Sequence, residues 1–344
     1  MPGRLERLWY AESPGRSLLA PLAWAYGALS AARRRAYRSS LLRPRALARP
    51  VVVVGNLTVG GTGKTPLTIH LARELSAAHL KVGIVSRGYG RHGAGARSVQ
   101  PDSDWRDVGD EPLILARRTG CPTLVAADRV AAARTLIARG ADVILADDGL
   151  QHLRLPRDCG IVVIDGSRGF GNGRLLPAGP LREPPAALAR ADLVVVNGEP
   201  THASLAAAPL PAQLLRMRLV TEPAVRLDGR GVPCELSAFR GRRVHAVAGI
   251  GNPQRFFSEL AAHGIEVLAH PFPDHHPFTA RELAFGDELP VLMTEKDAVK
   301  CTPFAHARLW CVPVSAAFSE PDGRALRAGV LERVLGRTRP AAGG

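Results

Sequence analysis

Apolar residues in this 344-residue chain gather into short unbroken runs separated by stretches of helical spacing. The runs are Val51 to Val54, Lys81 to Ser86, Thr123 to Ala126, Val143 to Ala146, Ile161 to Ile164 and Leu193 to Val196. Between several of them apolar residues recur three or four apart, as at Leu67, Leu71 and Leu75. Unbroken runs, as opposed to alternating ones, mark strands covered on both faces. Strands alternating with helices predict an α/β fold, a mostly parallel sheet with helices on both faces. Ligands of such sheets sit at the carboxyl ends of the strands, so the chemistry is expected just after each run.

A tract from Pro200 to Pro223, rich in alanine and proline, predicts a linker. Beyond it Arg243 to Ile250 and Pro290 to Thr294 repeat the strand-helix-strand logic as a smaller C-terminal α/β domain. The expected division is an N-terminal segment 1–48, a main domain 49–205, a linker 206–240 and a second domain 241–344. Ser17 to Ala32 is apolar, carries Trp24 and Tyr26, and runs into Arg33, Arg34, Arg35 and Arg38. It falls short of the roughly 20 residues of a membrane span. It suits a helix lying in a membrane interface, with arginines at the headgroups. The charges at Arg4, Glu6 and Arg7 precede a broken apolar stretch with no small-residue cleavage site, which is not the form of a signal peptide.

Composition describes a folded globular protein with a formal net charge of +14. Of its 45 basic residues only Lys64, Lys81, Lys296 and Lys300 are lysines, leaving 41 arginines. Heavy use of alanine and proline fits a base-composition origin; an anionic membrane surface or acidic substrate is the functional alternative. Nucleic acid ranks low, because no aromatic or helical reader motif accompanies the charge. The cysteines number five and lack C-x-x-C spacing, which fits a reducing compartment and argues against a zinc site or disulfide framework.

The chemistry gathers where the strands end. Val51 to Val54 run into Gly55 to Pro66, G-N-L-T-V-G-G-T-G-K-T-P, followed by the helical leucines. Strand, glycine-rich loop and helix make a P-loop NTPase-type element, in which Thr58, Val59, Gly60, Gly61, Thr62 and Gly63 wrap a polyphosphate with backbone N–H groups. Lys64 then reaches the β- and γ-phosphates and Thr65 offers its hydroxyl to Mg²⁺. Thr58 stands where the usual motif has glycine. The run ending at Ala146 delivers Asp147 and Asp148, either of which can hold Mg²⁺ opposite the loop. Ser86 to Arg91 is a basic loop with Arg87. Asp110 and Glu111 open an apolar helix and also suit its N-terminus. Gly171 to Pro185 is a stiff loop with Arg174, Arg182 and Glu183, and Asp274, His275 and His276 form a polar cluster in the second region.

Taken in order, G-N-L-T-V-G-G-T-G-K-T-P, S-R-G-Y-G (Ser86 to Gly90), G-D-E-P (Gly109 to Pro112), D-D-G-L-Q-H (Asp147 to His152), L-P-A-G-P-L-R-E (Leu176 to Glu183), A-G-I-G-N-P (Ala248 to Pro253), F-P-D-H-H (Phe272 to His276) and T-E-K-D (Thr294 to Asp297) span nearly the whole chain. Together they resemble the tetraacyldisaccharide 4′-kinases. The resemblance implies transfer of the γ-phosphate of ATP to the 4′-hydroxyl of a tetraacyldisaccharide 1-phosphate, at the cytoplasmic face of the inner membrane of Gram-negative bacteria. It implies Asp110 as base, His275 or His276 as its helper, and Glu111, Asp147, Asp148 and Glu183 with Thr65 around Mg²⁺. Arg87, Arg129, Gln151, His152 and Arg182 fall to the acceptor. No obligate protein partner is called for. The rival from another class is a membrane-associated P-loop ATPase acting as a switch or positioning protein.

Overall fold

A computed structural model describes residues 8–10, 18–39, 41–42, 45–93 and 95–338. Arg4, Glu6, Arg7 and Ser17 lie outside the described residues, as does the side chain of Arg38. The first sheet takes β1 (Val51–Gly55), β2 (Val82–Ser86), β3 (Arg97–Val99), β4 (Thr123–Val125), β5 (Val143–Asp147), β6 (Cys159–Asp165), β7 (Leu193–Asn197) and β8 (Leu215–Thr221). The second takes β9 (Val225–Arg226), β10 (Arg243–Ala248), β11 (Glu266–Pro271), β12 (Val291–Thr294) and β13 (Leu309–Val312). The last strand, β14 (Val314–Phe318), returns to the first sheet.

The first sheet runs in the order β14-β8-β7-β6-β1-β5-β2-β4-β3. Its inner strands are parallel, and both edges, β14 on β8 and β3 on β4, are antiparallel. Alternate residues of β1 feed opposite cores: Val52 and Val54 pack with Leu67, Leu71 and Leu75 on one side, Val51 and Val53 with Val130, Leu136 and Leu188 on the other. That two-sided burial is why the runs read as unbroken. In the second sheet β11, β10, β12 and β13 are parallel and β9 is an antiparallel edge.

The helices used below are α1 (Ala20–Arg38), α2 (Lys64–Ala77), α3 (Asp110–Thr119), α4 (Arg129–Ala138), α5 (Pro253–Ala262), α6 (Glu295–Cys301) and α7 (Glu320–Thr338). None is long and apolar enough to cross a membrane. One face of α1 lies on the body of the protein, where the Tyr26 hydroxyl donates to the Arg182 carbonyl at 3.0 Å and Arg34 pairs with Glu183 at 3.8 Å. Leu18, Leu22, Trp24 and Leu29 project from it into solvent, at 82%, 59%, 84% and 73% exposure.

The two sheets divide the chain differently from the expected boundaries at 205 and 241. β8 lies inside the expected linker, and β14 and α7 leave the second region to complete the first sheet. Leu215, Met217 and Leu219 alternate with Arg216, Arg218 and Val220, the signature of a strand buried on one face. Proline and alanine around it obscured that alternation. The chain therefore crosses between the sheets twice, after Thr221 and after Val312. Arg118, at the end of α3, binds both crossings: its guanidinium donates to Ser315 Oγ at 3.1 Å and pairs with Glu222, while also holding Glu295 of α6 at 2.9 Å.

Candidate active site

The site forms where the carboxyl ends of both sheets face each other. The loop from Gly55 turns at Gly63, whose φ of +96° puts it in the left-handed region, and a Cβ there would come within 2.8 Å of the Asn197 amide nitrogen. Lys64 is then the first residue of α2. Its ammonium lies 3.8 Å from Asp148 and is nearly buried, and the helix start adds positive field for an anion. Asn197, at the end of β7, donates to the Thr62 carbonyl at 3.1 Å and pins the loop from behind.

Asp147 and Asp148 end β5 in different settings. Asp147 accepts from Thr68 of α2 at 3.0 Å, while its Oδ2 is buried with no hydrogen-bond partner among the described residues. Burial first, then the nearby Glu111 charge, pushes its pKa up to about 7. Asp148, at a φ of +47°, turns to Arg182, whose Nη1 donates to both carboxylate oxygens at 2.9 Å. Burial opposes its charge, but Lys64 and Arg182 prevail and hold its pKa below the usual range. Arg129, buried at the start of α4, donates to the Asp148 carbonyl at 2.7 Å. The alternative left open at the sequence level thus separates: Asp148 is neutralised by the protein, whereas Asp147 carries the unspent oxygen.

Asp110 opens α3 beneath the second sheet. Its Oδ1 accepts from the Glu111 N–H at 2.8 Å and its Oδ2 meets His275 Nδ1 at 2.9 Å. Burial alone raises the Asp110 pKa, but the His275 hydrogen bond and the Lys296 charge outweigh it and leave it below the usual carboxylate range. It is His275 that meets Asp110; His276 pairs with Glu282 at 2.9 Å instead. Tyr89, from the loop after β2, tilts against the His275 ring with centroids 5.0 Å apart.

Other expected site residues fall out differently. Glu183 is not placed as a metal ligand: Arg190 at 2.7 Å and Arg34 at 3.8 Å neutralise it, and Gln151 donates to it at 3.3 Å. Gln151 is a brace, not a free acceptor contact, since its amide also donates to the Asn56 carbonyl at 3.1 Å. His152 keeps a buried Nε2 without a partner among the described residues, and burial with Arg129 brings its pKa down to about 4. Arg87 is exposed, open to a ligand, and Glu111 pairs with Lys296 at 3.3 Å.

Two residues from the second region escaped the sequence reading. Arg255 of α5 reaches back to Asn197 Oδ1 at 3.1 Å, and a Cβ on Gly251 would lie 3.4 Å from the Gly61 nitrogen, so this region caps the phosphate loop. Lys296 of α6 touches Glu111, Asp274 at 3.1 Å and His275 Nε2 at 3.2 Å. A signal existed: in a chain of 41 arginines, three of the four lysines, Lys64, Lys296 and Lys300, are largely buried, where a compact ammonium fits and a planar fork does not.

A phosphate loop at a helix start, a carboxylate at the next strand end and a buried aspartate-histidine pair define a P-loop phosphotransferase. Within that class the chain belongs to the tetraacyldisaccharide-1-P 4′-kinase family, whose model matches residues 15–334. It is 54% identical over 299 residues to the tetraacyldisaccharide 4′-kinase of Alkalilimnicola ehrlichii, covering 87% of each chain. To that of Nitrosococcus oceani it is 48% identical over 319 residues, covering 92% of this chain and 91% of the relative. Among solved structures, LpxK of Aquifex aeolicus, described as an apo form in complex with ATP, matches with a TM-score of 0.73 and 28% identity over 93% of this chain and 99% of that one.

Proposed function

We infer that this chain is an ATP-dependent lipid kinase that transfers a phosphate to the 4′-hydroxyl of a tetraacyldisaccharide 1-phosphate, a step of lipid A biosynthesis. The observation that carries the catalytic reading is the Asp110-His275 pair, a buried carboxylate from the first region and an imidazole from the second; Asp147, which feels both Lys64 and the adjacent Glu111, links it to the phosphate loop. A switch ATPase has no need of a base for an alcohol.

Phosphoryl transfer asks for alignment and for neutralisation of charge on the moving phosphate. Lys64 and the start of α2 supply positive charge at the β- and γ-phosphates, and Arg255 adds to it from Asn197, the residue that pins the phosphate loop. Asp110, kept ionised by its neighbours, takes the proton of the attacking hydroxyl. The hydroxyl oxygen bonds to the γ-phosphorus as its bond to the β,γ-bridging oxygen breaks and ADP leaves; Asp110 then gives its proton to solvent when the product departs, and His275 holds the carboxylate in place.

Mg²⁺ fits the donor set: the partnerless Oδ2 of Asp147 and the Thr65 hydroxyl are hard oxygens on facing elements. Among the described residues no group of three or more His, Cys, Asp or Glu is spaced for a metal, so phosphate and water oxygens would complete the shell. An ion held there by Asp147 and Thr65 would neutralise negative charge on the transferring phosphate.

The acceptor's acyl chains belong in a bilayer, and α1 offers the means to meet it. Its outward Leu18, Leu22, Trp24 and Leu29, with Arg33 and Arg35 exposed further along, suit a peripheral helix on the anionic cytoplasmic face of the inner membrane. The inward face of α1 touches the Arg182 loop, so the membrane-seeking surface and the site are one assembly. The test is ATP consumption with and without acceptor, followed by ³¹P NMR of the product. A new phosphomonoester at the 4′ position is expected; hydrolysis indifferent to the acceptor would favour the switch reading.

A further inference from the structure

The third residue of α6, Asp297, is fully buried, and its carboxylate does not serve its own helix. An acid at that position usually reaches back to the N–H of the capping residue. Here Thr294 caps α6, accepting from the Asp297 N–H at 3.3 Å, and its hydroxyl donates to Asp297 Oδ2 at 2.6 Å. The same Oδ2 accepts from the Gly249 N–H at 2.9 Å, 48 positions away and just past the end of β10. Oδ1 faces the Lys300 ammonium at 3.0 Å, with both side chains out of contact with solvent and the ammonium 5.2 Å from the centre of the Phe278 ring. A buried ion pair contributes little net stability beside apolar residues of similar volume. What it supplies is an acceptor fixed in direction, and a charged acceptor holds an N–H more strongly than a neutral one.

What hangs on Gly249 is the cover of the phosphate loop. Its carbonyl accepts from the His275 N–H at 3.3 Å, so this residue is held on both sides. The approach leaves no room for a side chain: a Cβ on Gly249 would lie 2.9 Å from Asp297 Oδ1 and 3.1 Å from the Pro273 carbonyl. Two residues on, a Cβ on Gly251 would lie 3.4 Å from the Gly61 nitrogen and 3.6 Å from Gly60 Cα, and α5 then carries Arg255 to Asn197. We propose that Asp297 is a positioning residue for the nucleotide: it anchors Gly249, so that Gly249 to Gly251 stay seated on Gly60 and Gly61, and Lys300 aims its carboxylate. The anchor acts through the backbone at one strand end and needs no contact of its own with a phosphate. The A-G-I-G-N-P and T-E-K-D stretches, far apart in sequence, are thus the two halves of one contact.

The proposal rests on the reading of Gly55 to Thr65 as the ATP loop, and its test keeps the two apart. ATP affinity is measured by calorimetry on the full chain without acceptor, and protection of the Gly249 amide by hydrogen exchange without ATP, in the parent and in two double variants. Asp297→Ala with Lys300→Met removes the anchor without stranding the ammonium. Asp297→Asn with Lys300→Met removes the same charges but keeps an oxygen for the Gly249 N–H. In the alanine variant ATP should bind at least about tenfold more weakly and the Gly249 amide should lose protection, whereas the asparagine variant should stay within about threefold of the parent on both readings. Equal ATP affinity in all three proteins, or an equal loss in both variants, would overturn the proposal. A parent that binds no ATP would contradict the loop reading itself. Should the alanine variant fail to fold, Thr294→Val takes one donor from Oδ2, leaves the ion pair whole and should weaken ATP at least about threefold; parent-like affinity there would equally overturn the proposal.

Discussion

At the scale of single residues, two aspartates of this site titrate in opposite directions for stated reasons. Asp110 is held ionised by His275 and Lys296, so Asp110→Ala should lower kcat by about 10²- to 10⁴-fold while ATP still binds. Near-normal turnover in that variant would remove it from the role of base. Asp147 is pushed up to about 7 by burial and by Glu111. The folded, ligand-free chain therefore binds more protons than the unfolded one between about pH 4 and pH 7, and this group makes stability fall as pH rises through that window. Asp147→Asn removes the effect. Thermal unfolding without nucleotide or Mg²⁺ should show a gain in Tm over the parent at pH 8 that shrinks toward pH 4.

Elements carry consequences that single residues do not. The outward face of α1 has nothing to bury except itself, and burying a leucine contributes about 1.5–3 kcal/mol. Leu22→Glu with Leu29→Glu should therefore cut co-sedimentation with anionic vesicles by at least tenfold. Activity on acceptor dispersed in detergent should survive, because Tyr26 and Arg34, which meet the site loop, are untouched. The same helix shows what sequence can and cannot give. Its apolar length and terminal arginines were legible as a helix with an apolar face to offer, and that face is exposed, but nothing in the spacing said that Tyr26 and Arg34 would brace the Arg182 loop. The strands follow the same rule. β1, β5 and β7, buried on both faces, stand out as apolar runs; β8 and β14 lie at one end of the sheet, mix polar and apolar residues, and were read as linker or passed over.

For the whole molecule, the parts legible from sequence were those made by contiguous residues: the phosphate loop, the aspartates at the end of β5, Asp110 at its helix start. Contacts between distant segments were not. Lys296 meets Glu111 across 185 positions and Arg255 meets Asn197 across 58, and only folding brings them together. Arg118 belongs to this class. It ties α3, which carries Asp110, to α6, which carries Lys296, and to both chain crossings. Replacing it by methionine strands Glu222 and Glu295, and a loss of about 3 kcal/mol is expected in denaturant unfolding, with lowered kcat from the loosened cleft. The most direct measurement is transfer of labelled γ-phosphate from Mg-ATP to tetraacyldisaccharide 1-phosphate in micelles, with Lys64→Ala alongside. Labelled lipid that forms only with the acceptor, and is lost in Lys64→Ala, is the predicted result. Equal ATP hydrolysis with and without lipid, and no labelled lipid, would contradict the account.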